Sequence, residues 1–349
     1  MHAGSGLLDA IAFLLMNPDT VVITDCDLPG TACEDTVTAA GLGVVRGAAR
    51  TEDAVIDLVR DAAAAGATPS ALVVQWAPLT ARVLDEIEGV RFISRMGIGY
   101  DMVDVAAATE RGIAVANTPT YCIEEVASHT VAMVLGLSRG LVGYDRAVRS
   151  GVWAATAPRP MAARLSATTV SVIGYGRIGS LVARSCAALG YRVLVHDPFV
   201  PDVDVAAAGY LPVSREQAIA EADVLSLHAP LSEATRHLLD AASIATMKPG
   251  AVVVNTCRGP LIDEEALADA LEGGHLGAAA LDVFSHEPLP ADSRLRTLDQ
   301  VLLSPHAAWF SPEAMADLPV HTAQNAIEFL AGRPVGSIVN PDYARALAR

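Results

Sequence analysis

The fold is decided by residues 170–197, which read VSVIGYGRIGSLVARSCAALGYRVLVHD. A β-branched run, Val170–Ile173, comes first and leads into three glycines in a GxGxxG pattern. The Ala/Leu-rich stretch 180–189 then has helical spacing, and a second β-branched run follows at 192–195. These residues predict a strand, a glycine turn, a helix and a second, parallel strand.

Each glycine of the turn has its own physical reason. Gly174 permits the tight turn, Gly176 lets the backbone approach a pyrophosphate, and Gly179 allows the helix to pack closely on the strand. The positive N-terminus of the helix is where the phosphates would bind. We therefore predict a dinucleotide site that includes these glycines and the two residues between Gly176 and Gly179, which are Arg177 and Ile178.

The acidic residue after the second strand indicates which dinucleotide is bound. Asp197 lies 23 residues after Gly174, where a carboxylate can accept hydrogen bonds from both ribose hydroxyls. It would repel a 2′-phosphate, and the next residues, Pro198 and Phe199, supply no cation. The sequence therefore predicts NAD rather than NADP.

Composition limits the class of protein. The 349 residues are 52% hydrophobic and 18% charged, which is typical of a globular protein of two domains. The formal net charge is -16, and Lys248 is the only lysine. Proteins that bind nucleic acid concentrate Lys and Arg, so we expect no direct nucleic-acid partner.

Cysteine usage and hydropathy bear on the compartment. The five cysteines are scattered, with no CxxC pair and no Cys/His cluster at zinc spacing, so they favour a reducing compartment and predict no metal site. No apolar run reaches the ~18 residues that a membrane span needs, and the first residues lack the basic region of a signal peptide. We expect a cytoplasmic protein without a membrane segment. Residues 1–15 are either a dispensable extension or an incorrectly assigned start.

Short β-branched runs alternate with helical stretches, which predicts an α/β fold with parallel sheets. The expected strands form two series: Val21–Thr24, Ala71–Val74, Val90–Ile93 and Ala114–Ala116, then Val170–Ile173, Arg192–Val195, Val224–Leu227, Val252–Asn255, Ala278–Leu281 and Val301–Leu303. One long helix is predicted over 123–150, and another over about 312–331. The expected domains are 1–117, 118–310 for the nucleotide, and 311–349 returning to the first domain.

Three successive strands of the second series end in residues that suit redox chemistry at a carbonyl. Arg258 follows 252–255, Asp282 and then Glu287 follow 278–281, and His306 follows 301–303. Because ligands bind at the carboxyl ends of such strands, these side chains are expected at one edge. A guanidinium would orient a carboxylate, an imidazole would exchange the proton, and a carboxylate would favour the imidazolium.

Seven stretches carry a family resemblance. They are RMGIGYDMVD (95–104), VIGYGRIG (172–179), HDP (196–198), HAPL (228–231), MKPGAVVVNTCRGPLIDEEAL (247–267), ALDVFSHEPLP (280–290) and SPHAAWFSPEA (304–314). In this order they resemble the NAD-dependent D-isomer-specific 2-hydroxyacid dehydrogenases, over about 70–330. The resemblance implies two Rossmann-like doubly wound parallel-sheet domains, a substrate domain discontinuous in sequence, and a homodimer formed through the cofactor domain.

The resemblance also implies site residues. Arg258 would bind the substrate, His306 would be the acid/base histidine, and Glu287 would be its partner. The remaining cofactor positions would be Asp282 at the nicotinamide amide, Thr256 and Cys257 beside the nicotinamide, and His228 to Pro230 along the adenosine half.

Three further positions concern the substrate. Trp309 after His306, and Arg95 before Gly97, are most similar to the C-terminal-binding-protein branch, in which an aromatic residue lines the pocket and the arginine helps to hold the substrate carboxylate. We predict substrate contacts for all three, although Trp309 is equally compatible with a core position. The loop 75–78, Gln-Trp-Ala-Pro, departs from the Arg-Ser-x-Thr of phosphoglycerate dehydrogenases and argues against a phosphorylated substrate.

The sequence thus predicts an NAD-dependent oxidoreductase that interconverts a small 2-keto acid and the D-2-hydroxy acid in a cleft between the domains. An alternative is an NAD(H)-sensing scaffold of the C-terminal-binding-protein type, which the same residues permit. A third is oxidation of formate or phosphite on the same fold. His129, on an Ala/Val-rich helix, is expected to be a core residue without a catalytic role.

Overall fold

The computed structural model describes residues 19–156 and 163–346. Expectations about residues 1–15, and part of the loop expected at 154–166, lie outside the described residues. The chain divides into two compact units. The first unit contains the described residues up to Tyr121 and those from Ser311 onward, and the second unit is Cys122–Phe310.

The first unit is built on a five-stranded parallel sheet. In chain order its strands are Asp19–Ile23 (β1), Gly43–Arg46 (β2), Thr68–Val74 (β3), Phe92–Arg95 (β4) and Ala114–Ala116 (β5), and their order in the sheet is β2-β1-β3-β4-β5. The first helices are Ala32–Ala39 (α1), Glu52–Ala64 (α2), Ala81–Glu86 (α3) and Val105–Glu110 (α4). The order is that of a doubly wound sheet, as expected.

One strand of this sheet was not predicted, and another is shifted along the chain relative to its predicted position. β2 was not predicted, because this edge strand is only four residues long and no residue in it is fully buried. The strand expected at 90–93 is shifted, since β4 is Phe92–Arg95 and all four of its residues are buried. The shift makes Arg95 the last residue of the strand, at the carboxyl edge of the sheet.

The second unit is built on a seven-stranded parallel sheet. Its strands are Thr169–Ile173 (β6), Arg192–His196 (β7), Leu211–Pro212 (β8), Val224–Leu227 (β9), Val252–Asn255 (β10), Ala278–Leu281 (β11) and Val301–Leu303 (β12). The order β12-β11-β10-β9-β6-β7-β8 is the Rossmann order with one added strand. The two-residue β8 was not predicted, because it is too short to show periodicity.

Both faces of this sheet are covered, which explains why its strands read as continuous apolar runs. In β10, Val253 packs into one hydrophobic cluster, and Val252 and Val254 pack into another. The helices of the unit are Ile123–Ser138 (α5), Leu141–Arg149 (α6), Arg177–Ala188 (α7), Asp202–Ala207 (α8), Arg215–Ala220 (α9), Ala241–Thr246 (α10) and Glu264–Glu272 (α11).

The prediction of a single helix over 123–150 is wrong. This segment forms two helices, α5 and α6, which are separated at Gly140. The left-handed conformation of Gly140, with φ of 65°, ends the first helix. In the described part of the chain no single helix is long and apolar enough to cross a membrane; α5 and α6 meet that test only as a pair, and they are bent by 58°.

The described residues from Ser311 to Ala346 belong to the first unit. Ser311 caps the helix Pro312–Leu330 (α12), its side chain accepting a hydrogen bond from Ala314 N. Beyond the helix, Ile338 forms an antiparallel bridge with Ala116. Tyr343–Ala346 (α13) is the last described helix.

Candidate functional site

The glycine turn has the geometry that a dinucleotide requires. At Gly174, with φ of 96°, an added Cβ would lie 2.5 Å from the carbonyl carbon of His228; at Gly179 it would lie 2.0 Å from the carbonyl oxygen of Gly174. An added Cβ at Gly176 would meet nothing within 4 Å, so open space adjoins the backbone at the start of α7. Packing therefore fixes the outer glycines, and the middle one leaves room for a phosphate.

The two residues between Gly176 and Gly179 have different surroundings. Arg177 is exposed on the first turn of α7, where a guanidinium could reach an anion at the helix terminus. Ile178 is partly buried and packs against the core of the second unit.

Asp197 follows β7 and is fixed by the backbone. Its Oδ2 accepts a hydrogen bond from Tyr175 N at 2.7 Å, and its Oδ1 accepts one from Phe199 N at 2.8 Å. Each carboxylate oxygen can accept a second hydrogen bond. The group is therefore held beside the glycine turn in a state that still suits two ribose hydroxyls.

His228 follows β9, on the other side of the glycine turn. Its Nε2 lies 2.8 Å from Ser226 Oγ, and its buried Nδ1 has no hydrogen-bond partner among the described residues. Burial lowers the pKa of the imidazole to about 4, so the ring is neutral at neutral pH. An orphaned polar atom here is consistent with a bound cofactor. Pro230 is exposed, and its carbonyl accepts a hydrogen bond from Thr235 Oγ1.

The residues after β10 are held by neighbouring elements. Thr256 Oγ1 lies 2.8 Å from Thr130 Oγ1 of α5. The Cys257 thiol donates to the carbonyl of Leu227, and burial raises its pKa to about 12. A raised pKa favours the thiol over the nucleophilic thiolate at neutral pH.

A buried carboxylate organises the turn after β12. Asp282 is 1% exposed, and it accepts hydrogen bonds from Ser304 Oγ, from Ala307 N at 2.9 Å and from Ala308 N at 2.9 Å. Three donors satisfy a charge that would otherwise be costly to bury. Asp282 therefore fixes the turn 304–308.

His306 lies in the middle of that turn. Its φ of 52° is left-handed, and its N donates to the carbonyl of Asp282 at 2.8 Å. Its Nδ1 lies 2.7 Å from Glu287 Oε2, while Glu287 Oε1 accepts from Phe284 N at 2.9 Å. Because Nδ1 faces a carboxylate, Nε2 is the nitrogen that can exchange a proton with a substrate.

Arg258 lies in the loop that follows β10, the strand next to β11. Its carbonyl accepts from Asn255 Nδ2 at 2.8 Å, and its Nη1 donates to the carbonyl of Cys257. At the next residue, Gly259, an added Cβ would lie 1.9 Å from the carbonyl carbon of Phe284. The loops that carry Arg258 and Glu287 thus touch backbone to backbone.

Two residues beside the turn 304–308 were not predicted from the sequence. His129 is not a core residue as expected: its side chain is 32% exposed, and its Nε2 lies 3.2 Å from Ser304 Oγ. Ser304, the first residue after β12, had no assigned role. The position of Ser304 at a strand end was the one feature of the sequence that could have pointed to it. For His129 there was no such feature, because helical spacing does not reveal which neighbour the ring faces.

The predicted substrate residues in the first unit form a second group. Arg95 is 4% exposed, and its guanidinium lies over the Trp76 ring, 5.5 Å from the centroid. Gly97 has φ of 138°, and an added Cβ would overlap the Arg95 guanidinium. Gly97 therefore leaves the space in which the Arg95 side chain lies.

The last predicted substrate residue, Trp309, belongs to the second unit. It is partly buried and makes an edge contact with Phe310, with ring centroids 5.9 Å apart. Across residues 19–156 and 163–346, no group of three His, Cys, Asp or Glu side chains is arranged to hold a metal ion.

The lowered pKa of His228 predicts a pH effect on stability. Between pH 6.5 and pH 4 the unfolded chain binds a proton at this residue and the folded chain does not, so the free energy of unfolding falls as the pH falls. In the protein without cofactor, we expect the melting temperature of His228→Gln to fall less steeply than that of the wild type over this range. Parallel curves would show that His228 does not carry the effect.

A family model described as D-isomer specific 2-hydroxyacid dehydrogenase, NAD binding domain, matches residues 131–308. A D-3-phosphoglycerate dehydrogenase of Mycobacterium leprae is 39% identical over 262 residues, 75% of this chain and 49% of that protein. The chain thus spans about half the length of this relative. A glyoxylate reductase of Korarchaeum cryptofilum is 36% identical over 270 residues, 77% of this chain and 81% of that protein.

Solved structures show the same similarity. The TT0316 protein of Thermus thermophilus has a TM-score of 0.78 at 34% identity, covering 92% of this chain and 99% of that one. A D-lactate dehydrogenase of Aquifex aeolicus, complexed with NAD and lactic acid, has a TM-score of 0.79 at 25% identity with the same coverage. The chain belongs to the D-isomer-specific 2-hydroxyacid dehydrogenase family, and its second unit is an NAD-binding domain of that family.

Proposed function

We propose that this protein is an NAD-dependent oxidoreductase that interconverts a small 2-keto acid and the corresponding D-2-hydroxy acid. The observation that carries the proposal is the pair formed by His306 Nδ1 and Glu287 Oε2, 2.7 Å apart. This pair follows β11 and β12 at the carboxyl edge of the sheet that also carries the glycine turn. An imidazole held by a carboxylate is a suitable proton donor for a ketone.

The residues at the sheet edge divide the reaction between them. NAD, when bound, supplies the hydride chemistry, and the turn 174–179 with Asp197 would hold it. In the reducing direction, His306 gives its Nε2 proton to the keto oxygen as the carbonyl carbon receives a hydride. The Glu287 carboxylate stabilises the imidazolium before the transfer, and Arg258 orients the substrate carboxylate through its planar guanidinium.

His306→Gln tests the assigned acid/base group. Glutamine fills similar space but cannot donate a proton to the developing alkoxide, so we expect kcat to fall about 100- to 10,000-fold with NADH affinity retained. His275→Gln is the matched control, because His275 lies in the same unit and its Nε2 lies 3.0 Å from the carbonyl of Ile244. An unchanged kcat in His306→Gln would remove His306 from the mechanism.

We further propose that the substrate is unphosphorylated and partly apolar. The loop that follows β3 carries Trp76 in place of a small polar residue, and its ring lies over Arg95. The buried Asp25 carboxylate fixes this loop by accepting from the backbone N–H groups of Gln75, Trp76 and Ala77. A rigid indole over one guanidinium suits a carboxylate with an apolar side chain better than it suits a phosphate.

A substrate panel tests this preference. We expect kcat/KM for phenylpyruvate and branched 2-keto acids to exceed that for 3-phosphohydroxypyruvate, with NADH oxidation as the measurement. Trp76→Ala should lower kcat/KM for phenylpyruvate about tenfold relative to glyoxylate, since burial against the indole is lost. Strong preference for the phosphorylated compound would contradict the proposal.

Measurements of NADH binding, of association state and of NAD reduction by other donors separate the alternatives. Tight NADH binding and an NADH-dependent change of association state, with no turnover of any keto acid, would favour the NAD(H)-sensing scaffold. Oxidation of formate or phosphite, with no turnover of any keto acid, would favour the third alternative, in which the same fold oxidises one of these donors.

We also propose a homodimer formed through the second unit. Leu141 and Val148 of α6, with Val152 and Trp153 after it, are exposed large apolar side chains, and Trp153 is 89% exposed. Such a group on one segment is typical of an association surface. Light scattering should give twice the chain mass for the wild type and a smaller mass for Trp153→Ser at low micromolar concentration. A monomeric wild type would contradict the proposal.

A further inference from the structure

We propose that His129 is a positioning residue for the reaction: it acts through Ser304 and Asp282 on the turn that carries His306. The inference rests on the proposed function, because it concerns the placement of the acid/base imidazole. His129 lies on α5, Ser304 directly follows β12, and Asp282 directly follows β11. Three elements distant in sequence thus meet at one chain of hydrogen bonds.

The geometry defines this chain. His129 Nε2 lies 3.2 Å from Ser304 Oγ, and Ser304 Oγ donates to Asp282 Oδ1. The direct separation between His129 Nε2 and Asp282 Oδ1 is 3.9 Å, which is too long for a hydrogen bond. The serine hydroxyl therefore links the two groups.

The positions of the protons follow from counting donors. A carboxylate only accepts hydrogen bonds, so the single Ser304 hydroxyl proton points at Asp282. The Ser304 oxygen must then accept from His129, and His129 Nε2 must carry a proton. Both the Nε2–H tautomer and the imidazolium meet this condition, whereas the tautomer protonated only at Nδ1 would set two acceptors against each other.

The hydrogen-bond chain ends at the backbone of the turn that carries His306. Asp282 accepts the N–H groups of Ala307 and Ala308 with its side chain, and the N–H of His306 with its carbonyl. His306 holds a left-handed φ of 52°, a conformation that persists only where surrounding contacts enforce it. Loss of the donor at His129 would free the Ser304 hydroxyl to rotate, and the Asp282 carboxylate could then shift with the turn it holds.

Four variants test the chain. His129→Leu removes the donor, His129→Gln places an amide N–H near the position of Nε2, Ser304→Ala removes the link, and the double variant combines the first and third. Ser128→Ala is the matched control, because its exposed hydroxyl donates only to the carbonyl of Glu125 on the same helix.

We expect His129→Leu to lower kcat about tenfold, with a smaller change in the KM for NADH, because one hydrogen bond in the chain is lost. His129→Gln should recover kcat to within about threefold of the wild type, and Ser304→Ala should resemble His129→Leu. The double variant should be no slower than the slower single variant, since both substitutions break one chain. Wild-type kcat in His129→Leu, no recovery in His129→Gln, or additive losses would overturn the proposal.

Two readouts do not need activity. In ¹⁵N-labelled protein, the His129 signal, assigned by its loss in His129→Gln, should show a protonated Nε2 above the titration range of the ring. The wild type, His129→Leu, Ser304→Ala and the double variant should show non-additive free energies of unfolding. If no keto acid is turned over but these two results hold, the proposed function is wrong and the hydrogen-bond chain is still supported. An Nδ1–H tautomer together with additive unfolding energies would contradict the hydrogen-bond chain itself. Should His129→Leu not fold, His129→Gln, Ser304→Ala and the nuclear magnetic resonance signal still decide.

Discussion

The burial of one negative charge governs the arrangement at the edge of the second sheet. Asp282 is almost fully removed from water, so its carboxylate must receive hydrogen bonds from the protein. The donors that meet this requirement come from Ser304, Ala307 and Ala308. The turn between them is therefore not free to relax, and His306 is held in a backbone conformation that is otherwise unfavourable. The position of the His306 imidazole therefore follows from the place where the Asp282 carboxylate accepts its hydrogen bonds.

The first unit uses the same physical device. Asp25, also 1% exposed, follows β1 and gathers the backbone N–H groups of the loop 75–77. In both units, an aspartate after a parallel strand fixes a neighbouring loop through main-chain groups, which every residue type except proline supplies. The side chains on such loops can therefore change without loss of the loop's shape. The main chain of the loop 75–77 is thus held by Asp25, whereas the group that lies over Arg95 is set by the side chain at position 76.

The sequence was sufficient for the α/β class, the nucleotide turn and most strands, because GxGxxG in its strand and helix context has few other solutions. It failed at β2 and β8, whose short edge segments have little burial to produce a pattern, and at Gly140, where a left-handed glycine ends α5. The proximity of His306 to Glu287 could be predicted because both follow strands of one sheet. The contact of His129 with Ser304 could not, because helical periodicity does not say which strand end faces a given side chain.

The most direct test of the account is a crystal structure of the protein with NADH and oxamate, an unreactive analogue of a 2-keto acid. We expect His306 Nε2 to lie within hydrogen-bond distance of the amide carbonyl oxygen of oxamate, with Nδ1 still on Glu287 and Arg258 on the carboxylate. An oxamate bound away from His306, or an imidazole that has left Glu287 and turned from the ligand, would contradict it.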